Sequence, residues 1–193
     1  QKREAAHTIS AWDILSGDIK PAEHILIYDE AGDHAALQAA ELASTQGSKV
    51  ELMTPDRTLS PDVMAMNLVP YMRSMQEKDV TFTVTYRLKE VERDGNRLQA
   101  KIGTDYSDLI KEKNYDQIVV NHGTIPMDEI YFDLKPASVN LGELDHKAFI
   151  DGKPQEIATN ADGKFQLFRI GDDVAARNTH AAIYDALRLA KDL

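Results

Sequence analysis

The 193-residue chain contains no cysteine. Disulfides, thiol catalysis and any cysteine-held zinc or iron–sulfur site within these residues are therefore excluded. The absence of thiols fits a cytoplasmic location, which is the expected one. Positive charge is scarce as well: 22 Lys and Arg stand against 32 Asp and Glu, for a formal net charge of −10. A surface of that sign repels a phosphate backbone, so nucleic acid is not an expected partner. No apolar run approaches the roughly eighteen residues that a membrane helix needs, and no membrane partner is expected. The first residues, QKREAAH, carry neither an initiator Met nor the apolar core of a signal peptide, and read as part of a longer polypeptide. What is present, 42% hydrophobic and 28% charged residues, is a globular balance large enough for one main core with an appendage.

Glycine is missing where it would matter most. HILIYDEAGDHAALQAAELASTQG, residues 24 to 47, has the outline of a nucleotide-binding βαβ unit: a short β-rich run, a tight turn, then an alanine-rich helix. Three glycines normally serve such a unit, for the tight turn, for backbone approach to a pyrophosphate and for close helix–strand packing. Here Gly32 stands alone among Asp29, Glu30 and Asp33. Ala36 can take the packing role, but the backbone-approach role has no clear occupant. A helix N-terminus attracts anions by about 0.3–1 kcal/mol per charge, and Asp33 with its neighbours can already satisfy that field. A pyrophosphate within about 4 Å of one carboxylate would meet roughly 1 kcal/mol of repulsion in water and about 4 at intermediate dielectric.

The following strand, residues 49 to 54, ends in Met53-Thr54-Pro55 rather than in the acid that usually accepts a ribose hydroxyl. Asp56 and Arg57 lie just beyond as possible substitutes. Two readings follow. In one, the frame persists without its dinucleotide chemistry, and Asp29, Glu30 and Asp33 are helix caps. In the other, the loop binds NAD(H) or ADP in an altered manner through main-chain donors near Gly32.

Periodicity and punctuation predict the remaining elements. SAWDILSGDIKP reads as a short helix capped by Ser10 and stopped by Gly17. A helix is expected from Asp33 to Gln46, ended by Gly47, with Ala36, Ala40 and Ala43 forming a small-residue face. Residues 62 to 78 read as two helical pieces divided at Pro70. A β-rich stretch turns at Asp94-Gly95-Asn96, more β structure is expected over 105 to 113, and an apolar strand over 117 to 120. Residues 135 to 163 are loop-rich, FQLFRIGD reads as a strand, and NTHAAIYDALRLAKDL as an amphipathic helix with Ile183, Ala186, Leu187 and Ala190 on one face. Alternating strands and helices with an antiparallel meander predict an α/β fold with a mainly parallel sheet.

Four stretches taken in order carry a family resemblance: AWDILSG, then ILIYDEAGDHAALQAAELA through VELMTPD, then YDQIVVNHGTIP, then FRIGDDVAARNTHAAIYDALRLA. Together they resemble the C-terminal half of the NADH:flavin oxidoreductases related to trimethylamine dehydrogenase and 2,4-dienoyl-CoA reductase. VVNHGTIP is similar to that family's strand followed by Ala-Thr-Gly-x-x-Pro, and RIGD to its strand end beside a flavin or ADP ribose. The resemblance implies a Rossmann-like domain of the glutathione-reductase NAD type. It divides the chain into a connector (1–22), a pyridine-nucleotide-like domain (23–130), a loop-rich connection (131–163) and the final strand and helix of a flavin or ADP domain (164–193). It places FMN and a 4Fe-4S cluster in an N-terminal TIM barrel outside these residues. The barrel and the other half of the flavin/ADP domain become the expected intramolecular partners, and an electron-transfer protein a further one. No cofactor is expected on this part alone, whereas ADP, FAD or NAD(H) could bind in the full-length protein.

The resemblance marks Gly32, Asp33, Gly123, Gly171, Asp172 and Arg177 as the cofactor-facing positions, with no catalytic residue and no metal ligand among them. For Arg177, Asn178 and Thr179 the alternatives are phosphate contact and helix capping. His122, His180, His34 and His146 lack metal-ligand partners at sensible spacing and read as capping or packing residues. Met64, Met66, Met72 and Met75 crowd one helical stretch, as core filling with an exposed remainder that could dock the barrel. Glu90, Glu92, Arg93 and Asp94 read as a solvated charge run at a hairpin.

Overall fold

A computed structural model describes residues 8–191, which fall into two compact units, one ending at Gly123 and one beginning at Thr124. The first unit holds a five-stranded parallel sheet and a three-stranded antiparallel sheet. Its elements run β1 (Ile9–Ser10), α1 (Ala11–Leu15), β2 (His24–Asp29), α2 (His34–Thr45), β3 (Lys49–Met53), α3 (Ala65–Glu77) and β4 (Thr81–Thr83). The meander β5 (Arg87–Asp94), β6 (Arg97–Gly103) and β7 (Ile110–Tyr115) follows, and then β8 (Gln117–Asn121). Strand order in the parallel sheet is β1-β8-β2-β3-β4, so β8 returns from the meander to lie beside β2. This is the α/β architecture that the sequence predicts, a mainly parallel sheet with an antiparallel meander.

The continuous apolar run of β2 follows from burial on both faces. Ile25 and Ile27 point with Val50, Leu52 and Val119 into a cluster that includes Ala36, Ala39 and Ala40 of α2. Leu26 and Tyr28 point the other way, with Met53 and Ile118, against Val91, Leu98, Ala100, Ile102 and Tyr115 of the meander. Burying each such large apolar side chain contributes about 1.5–3 kcal/mol, which makes these two layers the main stabilising term. The alanine face of α2 is fully buried and lets the helix lie close to the sheet. Ser10 begins α1 through a capping box with Asp13, and Gly47, at φ +94°, follows the end of α2. The hairpin closes as expected: Asp94 pairs with Arg97 around a two-residue loop in which Gly95 has φ +58°.

One charged residue points into the meander layer. Glu51, 7% exposed, accepts from the Thr83 hydroxyl at 2.6 Å, the Tyr115 hydroxyl at 2.8 Å and the Lys113 ammonium at 2.8 and 3.0 Å. Burial pushes its carboxyl up, yet the bonds from Lys113, Thr83 and Tyr115 outweigh that and hold it below the usual carboxylate range.

Several local expectations are corrected. Residues 65 to 77 form a single helix that continues through Pro70. Proline deprives the Met66 carbonyl of its helical donor, but Met66 is 84% exposed and lies where water can replace that donor. The β structure expected over 105 to 113 begins only at Ile110 and runs to Tyr115. Of the four clustered methionines, Met75 alone is fully buried and Met72 partly so, while Met64 and Met66 face solvent.

The second unit holds α4 (Glu129–Leu134), the 3-10 turn Lys135–Ala137, α5 (His146–Asp151), the 3-10 turn Gly171–Asp173 and α6 (Thr179–Ala190). The expected strand FQLFRIGD joins no ladder among the described residues. A strand is defined by its neighbour, and this run instead makes loop contacts: Phe165 O accepts from Val139 N, and Leu167 brackets the Asn140 amide. Ser138 and Asn140 are buried, whereas Ile130, Ile183 and Leu187 are more than half exposed. The apolar face expected on α6 is present and faces outward. Among the described residues of the chain, no helix is long and apolar enough to cross a membrane.

Candidate functional site

The C-terminal ends of β2 and β8, adjacent in the sheet, bring the acidic turn, Asn121, His122 and Gly123 together. Crevices at such strand ends, where connections diverge, are where open α/β sheets take ligands. Asp29, the last residue of β2, is 1% exposed, and its Oδ1 accepts the backbone N–H groups of Ala31 at 3.2 Å and Gly32 at 3.0 Å. Burial pushes the Asp29 carboxyl up, and the Asp33 charge adds to this against the opposing bonds from Gly32, Asn121 and Ala31. Asp33 is the N-cap of α2 and accepts from Ala35 N at 2.9 Å. The turn's own carboxylates thus take the main-chain donors that an anion at this helix start would use.

Gly32 has φ +72°, and a Cβ there would lie 2.8 Å from Pro61 Cδ. The loop leaving β3 therefore folds back over the turn. Asp62 N donates to Gly32 O at 3.0 Å, the Ser60 hydroxyl lies 3.4 Å from Asp29 Oδ2, and Val63 anchors the loop in the core. The close backbone approach that glycine permits at this position is made by Pro61. Ser60 and Pro61 had no recognisable signal in the sequence, because their role rests on a loop returning across the turn.

Glu30 faces the other side of the turn. Its Oε1 accepts from the Tyr28 hydroxyl at 2.7 Å and from Arg87 Nη1 at 3.3 Å, while Oε2 lies 2.7 Å from His122 Nδ1. Burial pushes this carboxyl up, but the bonds from Tyr28 and His122 and the charges around it bring it below its ordinary range. Tyr28 is driven well above the usual phenol range, by burial first and then by Glu30, and remains a donor. His122 thus has an acid partner and an edge-on ring contact with Tyr28, in line with the packing role expected for it. His34 likewise packs on Tyr71.

Of the six marked positions, Gly32, Asp33 and Gly123 fall in the first unit. Gly123, at φ +80°, follows β8 beside Ala31. Gly171, Asp172 and Arg177 fall in the second unit. Gly171 is buried with φ +60°, and a Cβ there would meet Ala182 at 3.2 Å, so the glycine lets the 3-10 turn sit on α6. Asp172 is exposed, and Arg177 is engaged by Asp185, whose Oδ2 also accepts Gly171 N at 3.2 Å. Asn178 caps α6, its Oδ1 accepting Ala181 N at 2.9 Å. Of the two substitutes beyond β3, Arg57 donates to the Tyr106 hydroxyl at 3.3 Å, and Asp56 N is bonded to the Thr54 hydroxyl. Among the described residues no three His, Asp or Glu side chains converge as a metal centre.

No family model matches the sequence. Curated proteins do. The chain is 66% identical over 185 residues to the probable N-methylproline demethylase of Rhizobium meliloti, covering 96% of this chain and 27% of that protein. It is 40% identical over 196 residues to the N,N-dimethylglycine/sarcosine dehydrogenase of Chromohalobacter salexigens, covering 100% of this chain and 28% of that one. The chain belongs to the trimethylamine dehydrogenase and 2,4-dienoyl-CoA reductase family. It spans little more than a quarter of the length of these relatives. The family fold is seen in histamine dehydrogenase from a Rhizobium species, which superposes with a TM-score of 0.67 at 17% identity over 95% of this chain and 24% of that one. Those two relatives carry the names of a demethylase and a dehydrogenase.

Proposed function

We propose that this chain is the C-terminal nucleotide-domain-like part of a larger flavin-dependent amine dehydrogenase, and that its own dinucleotide site is degenerate. The observation that carries the reading is the closed turn: Asp29 takes the N–H groups of Ala31 and Gly32, and Pro61 covers Gly32. NAD(H) does not fit a turn whose donors and approach face are already filled. Nor can a 4Fe-4S cluster be held through thiolates by residues that include no cysteine. FMN and the cluster belong to a TIM barrel elsewhere in the polypeptide. The relatives' names point to N-methylated amino acids as the substrate class.

In this reading residues 1–22 connect to a flavin/ADP half-domain, 23–130 form the pyridine-nucleotide-like domain, 131–163 link back, and 164–193 complete the flavin/ADP domain. Gly171, Asp172 and Arg177 face ADP or FAD only when that other half is in place. The contribution of the part is packing and partner-facing surface. The outward Met64 at the start of α3, Met66 and Val69 within it, and in the second unit Ile130, Ile183 and Leu187, supply apolar area for the barrel, the half-domain or an electron acceptor.

The test is calorimetric titration of the full-length protein with NADH, NADPH and ADP, beside analysis of its bound FMN and iron. No saturable binding assignable to residues 29 to 33 is expected. Saturable nicotinamide-nucleotide binding that disappears when those residues are altered would overturn the reading in favour of a working NAD(P)H module. The intact β4-β3-β2-β8 frame is the feature that favours that second reading.

A further inference from the structure

The acidic turn poses an electrostatic problem that the nucleotide question leaves aside. Asp29, Glu30 and Asp33 lie within five residues, one of them almost fully buried, and like charges so placed repel. The last residue of β8, Asn121, and the residue after it, His122, answer it with donors. Asn121, 3% exposed, directs its side-chain amide to Asp29 Oδ1 at 3.0 Å and to Asp33 Oδ1 at 2.9 Å, bridging the two acids. Its carbonyl accepts Glu30 N at 2.9 Å and Ala31 N at 3.2 Å, so the same residue also holds the turn's backbone. His122 sits 2.7 Å from Glu30. An ionised carboxylate only accepts, so Nδ1 of His122 carries the proton in that bond.

We propose that Asn121 and His122 form a clasp across the β2–β8 crevice that holds the acidic turn in place over Gly32. They are positioning residues: Asn121 keeps Asp29 aimed at the Ala31 and Gly32 amides, and His122 keeps Glu30 turned towards Tyr28 and Arg87. Without the Asn121 amide, Asp29 and Asp33 face one another with no shared donor, and Asp29 withdraws from one of its remaining contacts. The buried Gly32 N–H then opens to solvent more often. The inference goes beyond the proposed function and does not depend on it, since it concerns what holds the turn whether or not a nucleotide binds.

The experiment is peptide-resolved hydrogen exchange on the intact polypeptide, without nucleotide, comparing wild type with Asn121→Ala. Loss of charge-assisted bonds of this kind predicts exchange at Gly32 faster by about tenfold, with Ala31, which keeps the main-chain carbonyl of residue 121 as acceptor, less affected and the buried face of α2 within about twofold of wild type. In parallel, carbon NMR of His122→Thr should show the Glu30 carboxyl titrating at higher pH, because one of the donors holding it down is gone. His122 is 56% exposed, so this variant folds even where Asn121→Ala does not. Unchanged exchange at Gly32 in folded Asn121→Ala, or an unmoved Glu30 midpoint in His122→Thr, overturns the clasp. Neither result touches the calorimetric test above.

Discussion

Replacing Glu51 by Gln should destabilise the first unit by about 2–4 kcal/mol, although volume and shape are nearly conserved. The magnitude follows from what surrounds the carboxylate. Oε1 faces the Thr83 hydroxyl and the Lys113 ammonium, and Oε2 faces the Tyr115 hydroxyl and the same ammonium. All three neighbours donate to the carboxylate; the Lys113 ammonium cannot accept from a new NH2 group, and a hydroxyl that turned to accept from it would leave its own proton unmatched. Each buried donor left unmatched costs about 1–3 kcal/mol. The Lys113 side chain is 41% exposed and can turn to water, so its share is limited to about 1 kcal/mol.

Tyr115 has no such exit, being 0% exposed. Glu51→Met should therefore cost about 1–3 kcal/mol, most of it from the stranded Tyr115 hydroxyl. The double variant Glu51→Met/Tyr115→Phe should recover most of that loss, as replacing both members of a buried polar pair often does. Urea unfolding followed at several pH values is the assay. Folding lowers the Glu51 pKa, so its contribution is complete above about 4.5, the ordinary value, and is lost as pH falls through the lowered folded value. Glu51→Gln should remove that acid-side slope. A variant within about 0.5 kcal/mol of wild type, or one that keeps the wild-type slope, would refute the reasoning.

Gly32→Ala should cost about 2–4 kcal/mol, combining about 1–2 for a left-handed conformation with displacement of Pro61, whose rigid ring cannot yield as a flexible side-chain end would. Thermal or urea unfolding checks it, and an Ala variant as stable as wild type would show that the turn is not pinned under the β3 loop. His24 gives a pH prediction of its own. Burial, then Lys49 and Arg97, hold its pKa below 6.5, and its Nδ1 lies 3.1 Å from Arg97 Nη2. Stability from neutral His24 is thus present above about 6.5 and is lost as pH falls through its lowered folded value. In His24→Gln the stability change over that mildly acidic interval should flatten, and an unaltered profile would sink the assignment.

Local sequence was sufficient wherever local forces decide. The uninterrupted ILIY run required burial on two faces, the Ala36, Ala40 and Ala43 spacing required a helix pressed on a sheet, and Ser10, Gly47 and Asp94-Gly95-Asn96 marked a cap, a stop and a turn through their own backbone preferences. The lone glycine among three acids was legible too, as a tight turn at the end of β2. Tertiary structure alone decided what those acids do. Asn121 lies 92 residues from Asp29, and Ser60 31 residues away, so the bonds that close the turn carry no signal in local spacing. The same limit applies to Glu51, whose three donors come from β4 and β7, and to FQLFRIGD, whose β-like composition finds no strand to pair with among the described residues. Propensity and capping act over a few residues and can be read along the chain. Electrostatic satisfaction and strand pairing depend on which distant segments arrive alongside, and that is settled only when the sheet assembles.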